Sequence, residues 1–153
     1  MAVFKFRYEA IKKTKELQEE LLTTKLAAIE SQISSLIQEI NNLNEQKIRL
    51  KNNLISQKNI KASDAQLFQK YEADLNLKIK MLKNNIIDLE ADKKKIMKQL
   101  IEKSKEIKVF ETLKENDKIE FFRHLDKIEQ KFLDDLSNSK NSELKIWKLN
   151  YFI

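Results

Sequence analysis

The sequence predicts an all-α fold: a long antiparallel two-helix coiled-coil hairpin, with helix 2 extending beyond helix 1. Three observations carry this reading. The 153-residue chain contains no Gly, no Pro and no Cys. Ala, Glu, Lys, Leu and Arg together make up about half of it, the compositional mark of long helices. Two runs of Leu and Ile step by four and three residues, with a short stretch between them where the period lapses. A compact α/β domain would need Gly at many of its turns, so its absence argues against that class.

Helix 1 is expected over about residues 4–58. Its seam reads Leu22, Leu26, Ile29, Ile33, Leu36, Ile40, Leu43, Lys47, Leu50, Leu54, interrupted only by Lys47. An apolar period of 3.5 residues held this long means supercoiled helices. A turn is expected at 59–62. Asn59 there is able to take the left-handed conformation that ends a helix when Gly is missing. Ser63 with Gln66 forms a capping box, and Asp64 favours the dipole of a new helix. Helix 2 is expected over about 63–136. Its seam reads Leu75, Ile79, Leu82, Ile86, Leu89, Lys93, Ile96, Leu100, Lys103, Ile107, Phe110.

Folding the chain about Lys61 sets Ile40 against Leu82, Ile33 against Leu89, Leu26 against Ile96 and Leu54 against Phe68. Registers shifted by one heptad are also possible; this one centres on the turn. Helix 1 then covers helix 2 only to about 116–118. Beyond it, Phe121, Phe122, Leu125, Ile128, Phe132, Leu133 and Leu136 lie on an uncovered amphipathic stretch. Such a stretch needs a partner, a second copy or another protein. Residues 137–142, Ser-Asn-Ser-Lys-Asn-Ser, read as a polar linker. The tail at 143–153 leaves strand, helix and disorder open.

The same composition excludes most chemistry. A Walker A loop or a dinucleotide fingerprint needs Gly for close backbone approach to phosphate. Without Cys there is no thiolate nucleophile or thiolate metal site, and His124 is the single histidine. Carboxylate pairs such as Glu19-Glu20 and Asp134-Asp135 lack the pocket that separates the pKa values of an acid and a base. The expectation is no enzyme, no metal and no cofactor. The net charge is +6, and Lys93-Lys94-Lys95 with Lys98 forms a basic stripe. Asp88, Glu90 and Asp92 stand beside it, and only three of the basic residues are Arg, the usual reader of phosphates and bases. Helix solvation explains the stripe, and no nucleic-acid partner is expected. The opening residues lack the apolar core of a signal peptide, and no window approaches a membrane span, so a cytoplasmic chain is expected.

Phe4-Lys5-Phe6-Arg7-Tyr8 with Ile11, and Glu129-Gln130-Lys131-Phe132-Leu133-Asp134-Asp135-Leu136, resemble the two terminal signatures of the flagellar export protein family FliJ. The stretch Ala62-Ser63 with Phe68, Tyr71 and Leu75 is similar to that family's second-helix start. The likeness covers residues 1–136. It departs in Asp135, where Glu is typical, and in the linker and aromatic tail that follow.

The resemblance implies a monomeric hairpin similar to the stalk subunit of rotary ATP synthases. It implies a non-enzymatic stalk-like component of the flagellar type III export apparatus, cytoplasmic and peripheral to the inner membrane through its partners. Those partners would be the hexameric export ATPase (FliI-like), the cytoplasmic domain of the export gate (FlhA-like) and export chaperones. By position, Phe4, Phe6, Phe121, Phe122, Leu125, Gln130 and Lys131 would face the ATPase ring, and Phe68, Tyr71 and Leu75 the gate. Two other readings compete. One is the injectisome stalk protein of a virulence-type secretion system. The other is a structural homodimer whose parallel chains would stay helical across residues 56–63.

Overall fold

The computed structural model describes residues 2–151, the last of them through its backbone. Two helices make up nearly all of it: α1, Glu9–Ile55, and α2, Ala62–Tyr151, of 47 and 90 residues. They pack against each other antiparallel, and there is no strand among the described residues. The break between them argues against a parallel pair of continuous helices.

The helix ends differ from expectation in instructive ways. α1 begins at Glu9 rather than near residue 4, because Phe4 to Tyr8 turn aside to pack elsewhere. It ends at Ile55 without a left-handed residue, since no described residue has positive φ. Asn59 is therefore not the cap. Its role passes to Ser56: the backbone N–H donates to Asn52 O at 3.0 Å and the hydroxyl to Asn53 O at 2.9 Å. Gln57 N–H closes a tighter turn with a longer bond to Leu54 O at 3.3 Å, so these last carbonyls are satisfied locally. α2 starts one turn position earlier than the capping box implied. Lys61 O accepts from both Asp64 and Ala65 N–H at 3.1 Å, which places Lys61, not Ser63, at the cap. Asp64 keeps its place in the first turn, where a carboxylate suits the positive helix end.

The largest correction lies downstream. Residues 137–142 are not a linker and α2 does not stop at Leu136; the helix runs on through Tyr151. Ser and Asn are only about half a kcal/mol poorer than Ala as helix residues. A helix already nucleated propagates through them when no Gly or Pro intervenes. Phe152 and Ile153 of the tail lie outside the described residues.

Packing divides the chain into two units. One is Lys15–Ser104; the other joins the described residues up to Thr14 with those from Lys105 onward. In the first, every residue of α1 from Leu22 to Leu54 that is not exposed lies on the expected seam. The same holds for α2 from Leu75 to Lys103. Ile33, Ile40, Leu75 and Ile79 are buried. Each stabilises the pair by about 1.5–3 kcal/mol relative to exposure.

Two of the three lysines that interrupt the apolar rows, Lys47 and Lys93, meet acceptors across the pair. Lys47 Nζ donates to Asn76 Oδ1 at 2.8 Å and lies 3.8 Å from Glu72. Lys93 Nζ lies 3.6 Å from Glu30. Both partners fall within one residue of the pairing about Lys61, whereas a heptad shift would displace them by seven.

Candidate functional site

In the unit that holds the N-terminal residues, the backbone before α1 is non-helical and turns at Arg7 and Tyr8, with Glu9 N–H donating to Phe6 O at 3.3 Å. A helix advances only 1.5 Å per residue, and chain outside a helix can advance further. The strap therefore reaches further along α2 than a helix could. Phe4 would oppose Lys118 if α1 continued; instead its ring packs on Phe121, centroids 5.6 Å apart and planes tilted by 54°.

This contact belongs to one of two groups of rings in tilted or edge-to-face contact. Phe121 meets Phe122 edge-on at 5.5 Å. Phe6 meets Tyr8 at 5.9 Å, and Tyr8 meets Phe110 at 6.2 Å, both in edge-to-face geometry. Such pairs are worth about 0.5–1.5 kcal/mol each beyond the area they bury. Cations close the arrangement. Arg7 stands 5.4 Å over the Tyr8 ring, and Lys114 Nζ 6.0 Å over Phe6. Lys114 also donates to Glu9 Oε2 at 3.0 Å. That hydrogen bond holds the Glu9 carboxyl below its ordinary pKa, against some desolvation and with help from the Lys114, Lys12 and Lys13 charges.

Of the residues expected at a ring, the structure brings Phe4, Phe121 and Phe122 together, while Phe6 packs with Tyr8 and Lys114. Phe6 is buried and holds the strap, whereas Phe122 is half exposed. Leu125, one turn on, is the last residue of α2 that is not exposed. Gln130 and Lys131 stand on the exposed helix beyond it, and Gln130 Nε2 donates to Asp134 Oδ1 at 3.3 Å. Val3, Phe4, Lys5 and Arg7 face Asp117, Glu120 and Phe121 across an open cleft of about 500 Å³. The expected list lacked Glu9 and Lys114, which pin the strap. The fold-back register already set them one residue from opposition.

A second surface lies in the other unit, beside the turn. Leu50, Leu54, Leu67, Phe68 and Tyr71 line an apolar groove of about 360 Å³. Phe68 is half-buried, and Tyr71 is exposed with its hydroxyl accepting from Gln46 Nε2 at 2.9 Å. Leu75, expected beside them at the surface, is only 3% exposed. It sits on the seam toward α1, so its side chain offers no docking surface.

Among the described residues no group of His, Cys, Asp or Glu could hold a metal ion, and no buried polar side chain lacks a partner. Among them, too, no helix is long and apolar enough to cross a membrane. What both surfaces offer is apolar and aromatic area rimmed by charge, which suits protein docking.

The sequence model of a family described as flagellar FliJ protein matches residues 4–142. No curated protein and no solved structure matches the chain.

Proposed function

The chain belongs to the flagellar FliJ family, and on that premise we propose that it is a non-enzymatic part of the flagellar protein export apparatus. It binds the centre of the hexameric export ATPase, promotes assembly and turnover of that ring, and links it to the export gate and to chaperones. It works in the cytoplasm, at the inner membrane through its partners.

The observation that carries this reading is the Phe4–Phe121 clasp. It ties the segment that holds the family's N-terminal signature to α2 eight residues before the C-terminal one, and it leaves Phe122 half exposed beside it. Rigid aromatic anchors beside an exposed amphipathic helix are the usual means of seating a helix in a partner. At the turn, Phe68 and Tyr71 with their groove supply the gate-facing contact. Leu75 contributes there only by holding α2 against α1.

The test is ATP hydrolysis by the export ATPase of the same organism with this protein titrated in, beside the protein alone. The expected result is stimulation that saturates below one protein per ATPase subunit, with no turnover by the protein itself. An unchanged ATPase rate at saturating protein would overturn the ring assignment.

A further inference from the structure

Downstream of Leu125 every described side chain of α2 is exposed, through Asn150. The stretch includes Ser137, Asn138, Ser139, Asn141 and Ser142, poor helix residues with nothing packed on them. Helical stability in water comes mostly from a covered apolar face. This one carries Leu133, Leu136 and Trp147, exposed by 53%, 45% and 63%. With Lys140, Glu143 and Asn150 they recur every three or four residues and form a single stripe about 100° wide. Lys140, Glu143, Leu144 and Trp147 share one shallow hollow of about 350 Å³ on that face. Residues 143–151 lie outside the family match.

The order of residues along the stripe points to what covers it. Read forward it runs apolar, apolar, cation, anion, aromatic, amide; read backward it places an apolar or amide group opposite each apolar one and an opposite charge opposite each charge. We infer that this face pairs antiparallel with the same face of a second copy, about a two-fold axis between residues 141 and 142. Leu136 then packs on the partner copy's Trp147, and Lys140 meets Glu143, each contact occurring twice as an isologous interface requires. A parallel pair would set Lys140 on Lys140 and Glu143 on Glu143, so charge selects the antiparallel arrangement. The contact spans about 27 Å of helix at 1.5 Å per residue, which suits a weak, reversible dimer. It covers Leu133 and Leu136, just beyond Gln130 and Lys131. The dimer is thus a reserve form that opens when another protein takes this end of α2. The inference stands whether or not the ATPase ring is that protein.

Sedimentation equilibrium of the full chain tests this, with fluorescence of Trp147, the single tryptophan, as the local readout. The wild type is expected to dimerise with rising concentration while Trp147 emission moves to the blue. Lys140→Glu or Glu143→Lys alone should each weaken association about tenfold, since two attractive pairs become repulsive. The double exchange should restore it, with far-UV circular dichroism unchanged throughout. A chain that stays monomeric through the high micromolar range overturns the proposal, as does a double exchange no better than the singles. An emission shift seen only on adding the export ATPase also overturns it and assigns the face to that partner. ATPase stimulation, measured separately, decides the ring reading on its own.

Discussion

Lys114 joins the two segments of its unit at a single point, donating to Glu9 Oε2 at 3.0 Å while its ammonium stands 6.0 Å over the Phe6 ring. Glu9 opens α1 and Phe6 anchors the strap that precedes it, so one cation fixes where the helix ends and the strap begins. The Glu9 carboxyl is held below its ordinary pKa. A group whose pKa is lowered on folding stabilises the fold above its unfolded value, and that contribution disappears as the pH falls through the folded value. Glu9→Gln should therefore lower the melting temperature at neutral pH. The gap to wild type should close in acid below the ordinary carboxylate range, about pH 4. A gap constant from pH 7 to acid would show that the charge does not hold the strap.

The clasp itself is measurable by a double-mutant cycle. Phe4→Ala and Phe121→Ala should each destabilise the protein, and the pair should destabilise by less than their sum. A coupling of about 1 kcal/mol is expected from urea unfolding, the size of an aromatic pair. Strict additivity would mean that the two rings merely lie near each other.

Ile33 is 7% exposed on the α1 seam. Ile33→Asp leaves a carboxylate unpaired between two helices, a cost of about 3 kcal/mol or more. In a thin two-helix core that should remove most of the helical signal in far-UV circular dichroism. Leu133→Asp, at a position 53% exposed, should leave the signal intact. Similar losses from the two changes would place the core elsewhere.

The seam lysines act on register more than on stability. Lys93 and Glu30 lie 3.6 Å apart with both side chains partly exposed, a pairing worth at most about 1 kcal/mol. Lys93→Glu should destabilise measurably at low salt, and Glu30→Lys on the same chain should recover most of the loss. At high salt the effect should shrink. A loss insensitive to salt and unrecovered by the reciprocal change would assign Lys93 a packing role instead.

Phe122 and Gln130 separate docking from folding, because one is half exposed and the other stands on the exposed helix. Phe122→Ala and Gln130→Ala should keep wild-type helicity and reduce stimulation of the export ATPase. If either unfolded the chain, its place in a docking surface would be withdrawn.

How much of this was legible beforehand depends on how local the cause is. The seam residues from Leu22 to Leu54 and from Leu75 to Lys103 could be read one by one, since a 3.5-residue apolar period admits one geometry. The break between the helices was legible for the same reason. The caps were not: Asn59 and Ser63 had the right chemistry, but Ser56 and Lys61 reached the free backbone groups first. Among the site residues, the fold-back set Phe4 opposite Lys118, and only the strap carries its ring to Phe121. The burial of Leu75 was implicit in the seam, yet its likeness to a family surface position pointed the other way.

The sequence by itself determined that this protein is a pair of long antiparallel helices and which residues lie between them. Those properties depend on composition and period, both of which are local. Tertiary structure alone decided that Phe4 to Tyr8 leave the helix to form a strap. Ring contacts on Phe110 and Phe121 and the Glu9–Lys114 bond outweigh the few helical hydrogen bonds given up there. It also decided that α2 continues through its Ser and Asn run. Helix propagation is cooperative, and the propensities of six residues do not outweigh the growing helix behind them.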